Sequence, residues 1–225
     1  MTRRLTLLDI ATVVAASTIL AGAAWVALNG PTGPIPMHFD IHGQPNRWGD
    51  RNELAGTLAL MAGVLGVTAG GMSWFAARTE DPSRRRGLQM GQLVSLLAIV
   101  IVTAILCTTL AASGQGDIAS GLNWGTTGLA VLILVIGAFL GRVGPNPIVG
   151  VRTPWSYKSR LAWDRSNRLA GRLFFGLGLT GLFIGPFLPL SVGMPILIVA
   201  ILIAAFWSAF ESWRVWRTDP DRQPF

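Results

Sequence analysis

The feature that most constrains this chain is a repeat of apolar runs, each about as long as a helix needs to cross a bilayer. Six segments qualify: Leu5–Leu28, Leu54–Ala77, Gln89–Ala112, Leu122–Gly141, Leu169–Pro189 and Ser191–Trp213. About 20 apolar residues in helical form cover ~30 Å of hydrocarbon. Helix is the default there, because lipid offers no partner to free backbone N–H and C=O groups. Charged residues make up only 13% of the 225, against about 25% in soluble domains. The expected fold is therefore all-α: a polytopic membrane protein with a six-transmembrane-helix bundle, read as one integral membrane domain over 1–225. Its parts are helices 1 and 2 with an outer loop (1–77), helices 3 and 4 (78–143), and a polar segment followed by helices 5 and 6 (144–225). Arg3 and Arg4 ahead of the first run imitate a signal peptide. Its core exceeds the usual length of about 7–15 residues, so a retained helix is the better reading.

Basic residues set the expected orientation. Sixteen of the eighteen Lys and Arg fall at the termini and in the second and fourth connections, and only Arg47 and Arg51 fall in the first. Positive charge marks the cytoplasmic side, which predicts cytoplasmic termini and an extracellular first loop. A net charge of +7 would otherwise suggest nucleic acid, but topology and anionic lipid account for it. Direct nucleic-acid binding is not expected.

The spans hold little charge at depth. Asp9 lies in the first turns of helix 1, and Glu211 lies near the end of helix 6 beside Arg214. Ion-coupled transport usually needs an ionisable group at mid-membrane. The single Cys107 reads as a small buried hydrophobe. Glycine-rich runs such as GVLGVTAGG (63–71) and GLGLTGLFIG (176–185) are expected to permit close helix packing. The terminal TDPDRQPF is expected to fray.

The first connection, IPMHFDIHGQPNRWGDR (35–51), contains both histidines of the chain. His38, Asp40 and His42 alternate, so extended backbone would turn all three to one side, as in a zinc site with an open position. A second reading is a compact turn, with Trp48 and Phe39 on the membrane surface and Asp50 or Glu53 paired with Arg47 or Arg51. A third is a surface for an extracellular peptide, using His38, Phe39, Asp40, Trp48 and Arg51.

The fourth connection, GPNPIVGVRTPWSYKSRLAWDRSNRLAGRLFF (144–175), is the most informative. Pro145 and Pro147 end helix 4, Pro154 forces Thr153 into extended backbone, and Ser156 is a candidate N-cap. Trp163, Asn167 and Gly171 then share one helical face, while Arg160, Asp164 and Arg168 offer two i,i+4 ion pairs on another. The expected object is an interfacial helix, 156–168, that turns into span 5 with Trp155 and Trp163 at headgroup level. It could anchor the bundle, dock a cytoplasmic partner or hold a lipid or substrate.

These residues resemble the signature of the SdpI-like family of immunity and signalling membrane proteins. That signature has an Asn, then Gly-Ile-Arg-Thr-Pro-Trp-Thr, a further Trp, and an Arg and Gly opening the next helix. The counterparts are Asn146, Gly150, Arg152, Thr153, Pro154, Trp155, Ser156, Trp163, Asn167, Arg168 and Gly171, with Val151 for Ile. Ser159 stands where relatives often carry an acid. Many members also have an N-terminal domain of unknown function with Pro-x-x-His-Phe-Asn/Asp and Gly-x-Pro-Asp/Asn-x-Trp-Gly. It resembles Pro36 (one residue nearer the His), His38, Phe39, Asp40, Gly43, Pro45, Asn46, Trp48, Gly49 and Arg51; His42 has no place in it.

The resemblance implies a bacterial plasma-membrane protein that protects against a membrane-active secreted toxin peptide and recruits a cytoplasmic transcriptional repressor. The outer loop would meet the toxin. Arg152, Thr153, Pro154, Trp155, Trp163, Asn167 and Arg168 would meet the repressor. No cofactor is implied. The sequence has no G-x-S-x-G and no H-E-x-x-H, which leaves catalysis without support. Two alternatives stay open: a small-molecule or lipid transporter using Gln89, Gln92, Asn123 and Asn167, and a metal-dependent hydrolase on His38, Asp40 and His42.

Overall fold

The computed structural model describes residues 5–40, 44–113, 118–146 and 149–223, with side chains described outside 108–124. It is 77% helical. The long helices are α1 (Leu7–Asn29), α2 (Arg51–Ala76), α3 (Pro82–Ser113), α4 (Ile118–Leu140), α6 (Arg160–Ile184) and α7 (Leu190–Thr218). Between them lie a hairpin, β1 (Ile35–Phe39) and β2 (Pro45–Gly49), the four-residue α5 (Pro154–Tyr157), and a 3-10 turn at Gly185–Phe187.

Local chemistry places the helix starts. Thr6 caps α1 in a capping box, its hydroxyl accepting from Asp9 N–H at 3.2 Å while the Asp9 carboxylate accepts from Thr6 N–H at 2.9 Å. Asp50 caps α2 by accepting from the backbone of Asn52 and Glu53, each at 2.9 Å.

Five helices are long and apolar enough to cross a membrane among the described residues: α1, α2, α3, α6 and α7. The remaining expected span falls on α4, whose described apolar stretch is Gly125–Leu140. Apolar side chains such as Leu7, Val67, Ile203 and Phe206 point outward, as a lipid-facing surface requires.

Two packing centres organise the molecule. In the first, Ile19 and Ala23 of α1 meet Leu54, Leu58 and Leu65 of α2, with Leu96 of α3 and Ile35 of the hairpin buried among them. The second is the crossing of α4 on α6. A side chain at Gly178 would collide with the Leu134 backbone, and one at Gly137 with the backbone of Phe175 and Gly171. Small residues therefore let these two backbones touch. The glycines at 63, 66, 70 and 71 do not serve this purpose, since nothing lies within 4 Å of where their Cβ atoms would be. Ala62, Leu65 and Ala69 form the buried face of α2 instead.

The expected all-α class holds for a chain that is 77% helical, and the outer loop adds one antiparallel two-stranded sheet. Three expectations require correction. There is no separate interfacial helix over 156–168: α6 runs unbroken from Arg160 to Ile184, capped by Ser159, whose hydroxyl accepts from Ala162 N–H at 2.8 Å. Ser156 is the third residue of the α5 capping box and not the N-cap, which is Thr153. The C-terminal tail is also docked rather than frayed as far as Gln223. Buried Asp219 accepts from the Ser159 hydroxyl, and Gln223 N–H donates to the Lys158 carbonyl at 2.8 Å.

Candidate functional site

The loop between α4 and α6 is held by a dense set of hydrogen bonds, and the residues picked out by the motif make them. Buried Asn146 donates to the carbonyls of Gly144 (2.9 Å) and Val149 (3.0 Å) and accepts from Val149 N–H at 2.8 Å. It packs where a Cβ on Gly87 of α3 would otherwise stand. Gly150 has φ +134°, a region that L side chains rarely adopt, and any Cβ there would lie 2.8 Å from Asn167 Oδ1 and 3.0 Å from the Trp163 ring. Asn167 accepts from Val151 N–H at 2.7 Å and donates to the Trp163 carbonyl at 2.9 Å. The Trp163 indole N–H donates to the Val143 carbonyl at 2.9 Å.

Trp163 and Asn167 are thus internal, 0% and 1% exposed. They hold the loop against α6 and present no face to a cytoplasmic partner or to headgroups, contrary to the expected roles. The shared helical face was correctly placed in register, but it turns inward because the loop folds over it. Arg152, Pro154 and Arg168 are exposed, whereas Thr153 and Trp155 are half-buried. The Thr153 hydroxyl lies 2.6 Å from that of Ser212, tying the loop to α7. Of the two expected ion pairs on α6, Arg160–Asp164 forms, at 3.4 Å.

Beneath this loop is a cavity of about 540 Å³. Gly150, Val151, Arg152 and Thr153 close one end, and Met72 of α2, Gly91 and Ser95 of α3, Leu140 of α4, Phe174 of α6 and Ala205 of α7 line the rest. The lining is mainly apolar, with Ser95, Thr153 and Arg152 as polar points. The transporter candidates do not converge on it. Gln92 is buried elsewhere, donating to Asp9 (3.2 Å) and Thr12 (3.3 Å), and the Ser73 hydroxyl also donates to Asp9. That cluster pins α1, α2 and α3 together and was not anticipated from the sequence. Asn167 is committed to the loop, Gln89 is exposed, and the Asn123 side chain lies outside the described residues.

At the other end stands the hairpin. Ile35 is buried in the core, and the strands pair Ile35 with Gly49 and Pro36 with Trp48. Register shifts around His38 break simple alternation, and Asp40 lies past the end of β1. His38 is exposed, with Nδ1 2.6 Å from Asn46 Oδ1. The Asp40 carboxylate accepts from Gln44 N–H at 2.9 Å, closing the turn. His38 and Asp40 are therefore each engaged inside the hairpin, and His42 lies outside the described residues. Among the described residues no group of three His, Cys, Asp or Glu could hold a metal ion. Arg47 pairs with Glu53, Trp48 is 54% exposed, and Arg51 opens α2 half-buried. Phe39 is half-buried beside His38, while His38, Asn46, Arg47 and Trp48 are exposed at this end.

Comparison with known proteins bears on the inner loop. The profile of the SdpI/YfhL protein family matches residues 142–211. The chain is 26% identical over 94 residues to the immunity protein SdpI of Bacillus subtilis (strain 168), a match covering 40% of this chain and 43% of that protein. No solved structure matches. The matched region runs from Arg142 at the end of α4, through the loop held by Asn146, Gly150, Trp163 and Asn167, to Glu211 in α7. The likeness to the SdpI/YfhL family thus rests on residues 142–211, and the chain spans less than half the length of the relative it matches.

Proposed function

We propose that the chain is an immunity and signalling protein of the bacterial plasma membrane, without enzymatic activity, that protects the cell against a membrane-active toxin peptide and recruits a cytoplasmic transcriptional repressor. The observation that carries this reading is the coincidence of the family match with the loop that closes the cavity. The termini and this loop face the cytoplasm, and the hairpin faces outward, in keeping with the distribution of Lys and Arg. His38 and Trp48 would meet the peptide. Arg152, Pro154 and Trp155, with exposed Arg160 and Arg165, would meet the repressor.

One element joins the two ends. α2 begins at the hairpin, where Asp50 caps it, and Met72 near its other end lines the cavity beside Gly150–Thr153. A peptide that shifts the hairpin can bias the loop only through two packings of such an element.

The test is expression in a bacterial host sensitive to the toxin peptide. The intact chain should restore growth, and His38→Ala or Trp48→Ala should reduce protection at equal protein level in the membrane. No protection by the intact chain would overturn the reading. The mainly apolar cavity supports a second reading, transfer of a small amphiphile, which would show as flux above that of empty liposomes.

A further inference from the structure

The crossing of α4 on α6 leaves a groove of about 420 Å³ at the basic end of the molecule. Its charges are Arg142, in the turn just past α4, and Arg168 and Arg172 from α6. None of the three has a carboxylate partner among the described residues, since Asp164, the nearest acid on α6, pairs with Arg160. Three uncompensated guanidinium groups around one groove call for an anion.

Position says what kind of anion. Arg142 is the first charge after the uncharged Ile118–Leu140 of α4, and Arg172 is the last before the uncharged 173–184 of α6. The groove therefore straddles the boundary where hydrocarbon gives way to headgroups. Gly137, Gly141 and Gly171 line it where the two backbones touch, which brings the arginines of both sides of the crossing to one groove. The Arg168 stem lies over Gly141, where a Cβ would stand 3.2 Å from Arg168 Cα. Phe175 lies one turn deeper on the same stripe as Arg168 and Arg172 and offers an apolar wall at acyl-chain level. A soluble anion would have no use for that wall.

We propose that this groove binds one anionic phospholipid of the leaflet facing the basic end, its phosphate held by Arg142, Arg168 and Arg172 and its upper acyl chain lying along Phe175. Planar guanidinium donors suit phosphate oxygens, and anionic lipid is concentrated in the cytoplasmic leaflet. The inference does not rest on the immunity reading. It moves Arg168 from a partner-facing role to a lipid-facing one.

The full chain in detergent is titrated with phosphatidylglycerol or with phosphatidylcholine of the same acyl chains, and bound lipid is counted by native mass spectrometry. One phosphatidylglycerol per chain should be retained under conditions that strip phosphatidylcholine. Arg168→Gln with Arg172→Gln should weaken that binding roughly 25-fold, at about fivefold per arginine. Ala138→Phe, which fills the groove without changing charge, should also weaken it. Arg84→Gln with Arg85→Gln removes equal charge elsewhere and should leave it unchanged. Unaltered binding in the Arg168/Arg172 variant overturns the proposal. So does an equal loss in the Arg84/Arg85 variant, which would mean diffuse surface charge. So does displacement by equimolar inorganic phosphate, which would make free phosphate the ligand. Should the arginine variants misfold, thermal unfolding decides: phosphatidylglycerol should raise the midpoint of the natural chain and not of Ala138→Phe, and equal rises overturn the site.

Discussion

Gly150 has a positive φ that no other described residue shares. Its lack of a side chain is what allows Trp163 and Asn167 to sit against the loop. Gly150→Ala should therefore cost about 1–3 kcal/mol from the backbone alone, and the contact with Asn167 adds to it. The measurement is the unfolding midpoint of the purified protein in detergent, which should fall. Asn167→Asp has nearly the same shape but cannot donate to the Trp163 carbonyl, so it should lower the midpoint too. An unchanged midpoint in both would mean that the loop is not held by this network. The sequence marked these residues through the motif and its spacing. It could not show whether their common helical face turns toward solvent or toward the loop, because periodicity defines a face and not its surroundings.

At the level of elements, glycine serves two purposes. On α6, Gly178 is where the α4 backbone passes, and Gly178→Leu should break the crossing because a side chain would meet the Leu134 backbone, which cannot yield. Loss of monodisperse protein on size exclusion is the expected result. On α2, Gly66 has open space around it, so Gly66→Ala should be tolerated and can add about 0.5–1 kcal/mol through backbone entropy. If the two substitutions behaved alike, the division of roles would be wrong. Composition foretold that small residues mattered for packing, yet it treated 63–71 and 176–185 as equivalent. Only the placement of helices around each run separated them. The hairpin was missed for a related reason: its five-residue strands contain two prolines and irregular pairing, leaving no alternating signal.

For the whole molecule, the asymmetry of Lys and Arg gives a testable orientation. In a Cys107→Ala background, Thr32→Cys beside the hairpin should react with a membrane-impermeant maleimide on intact cells. Glu80→Cys, between α2 and α3, should react only after permeabilisation. The reverse pattern would invert the topology and move the cavity loop outside. Both positions are half-buried or exposed, so access to the reagent is not limited by the fold.

By itself the sequence determined that most of the chain is long apolar helix, because runs of that length act locally and admit few alternatives; it did not fix the start of α6, which lies at Arg160 rather than Leu169, or its cap. It also located the loop that the family profile matches. The tertiary structure alone decided that Trp163 and Asn167 face inward, that Asp9 is shared among three helices, that the tail docks through Asp219, and that three arginines from both sides of the α4–α6 crossing border one groove. Each of these joins residues distant in the chain or sets the direction of a face. Such facts depend on how helices cross, and helix crossing is governed by contacts that no local pattern contains.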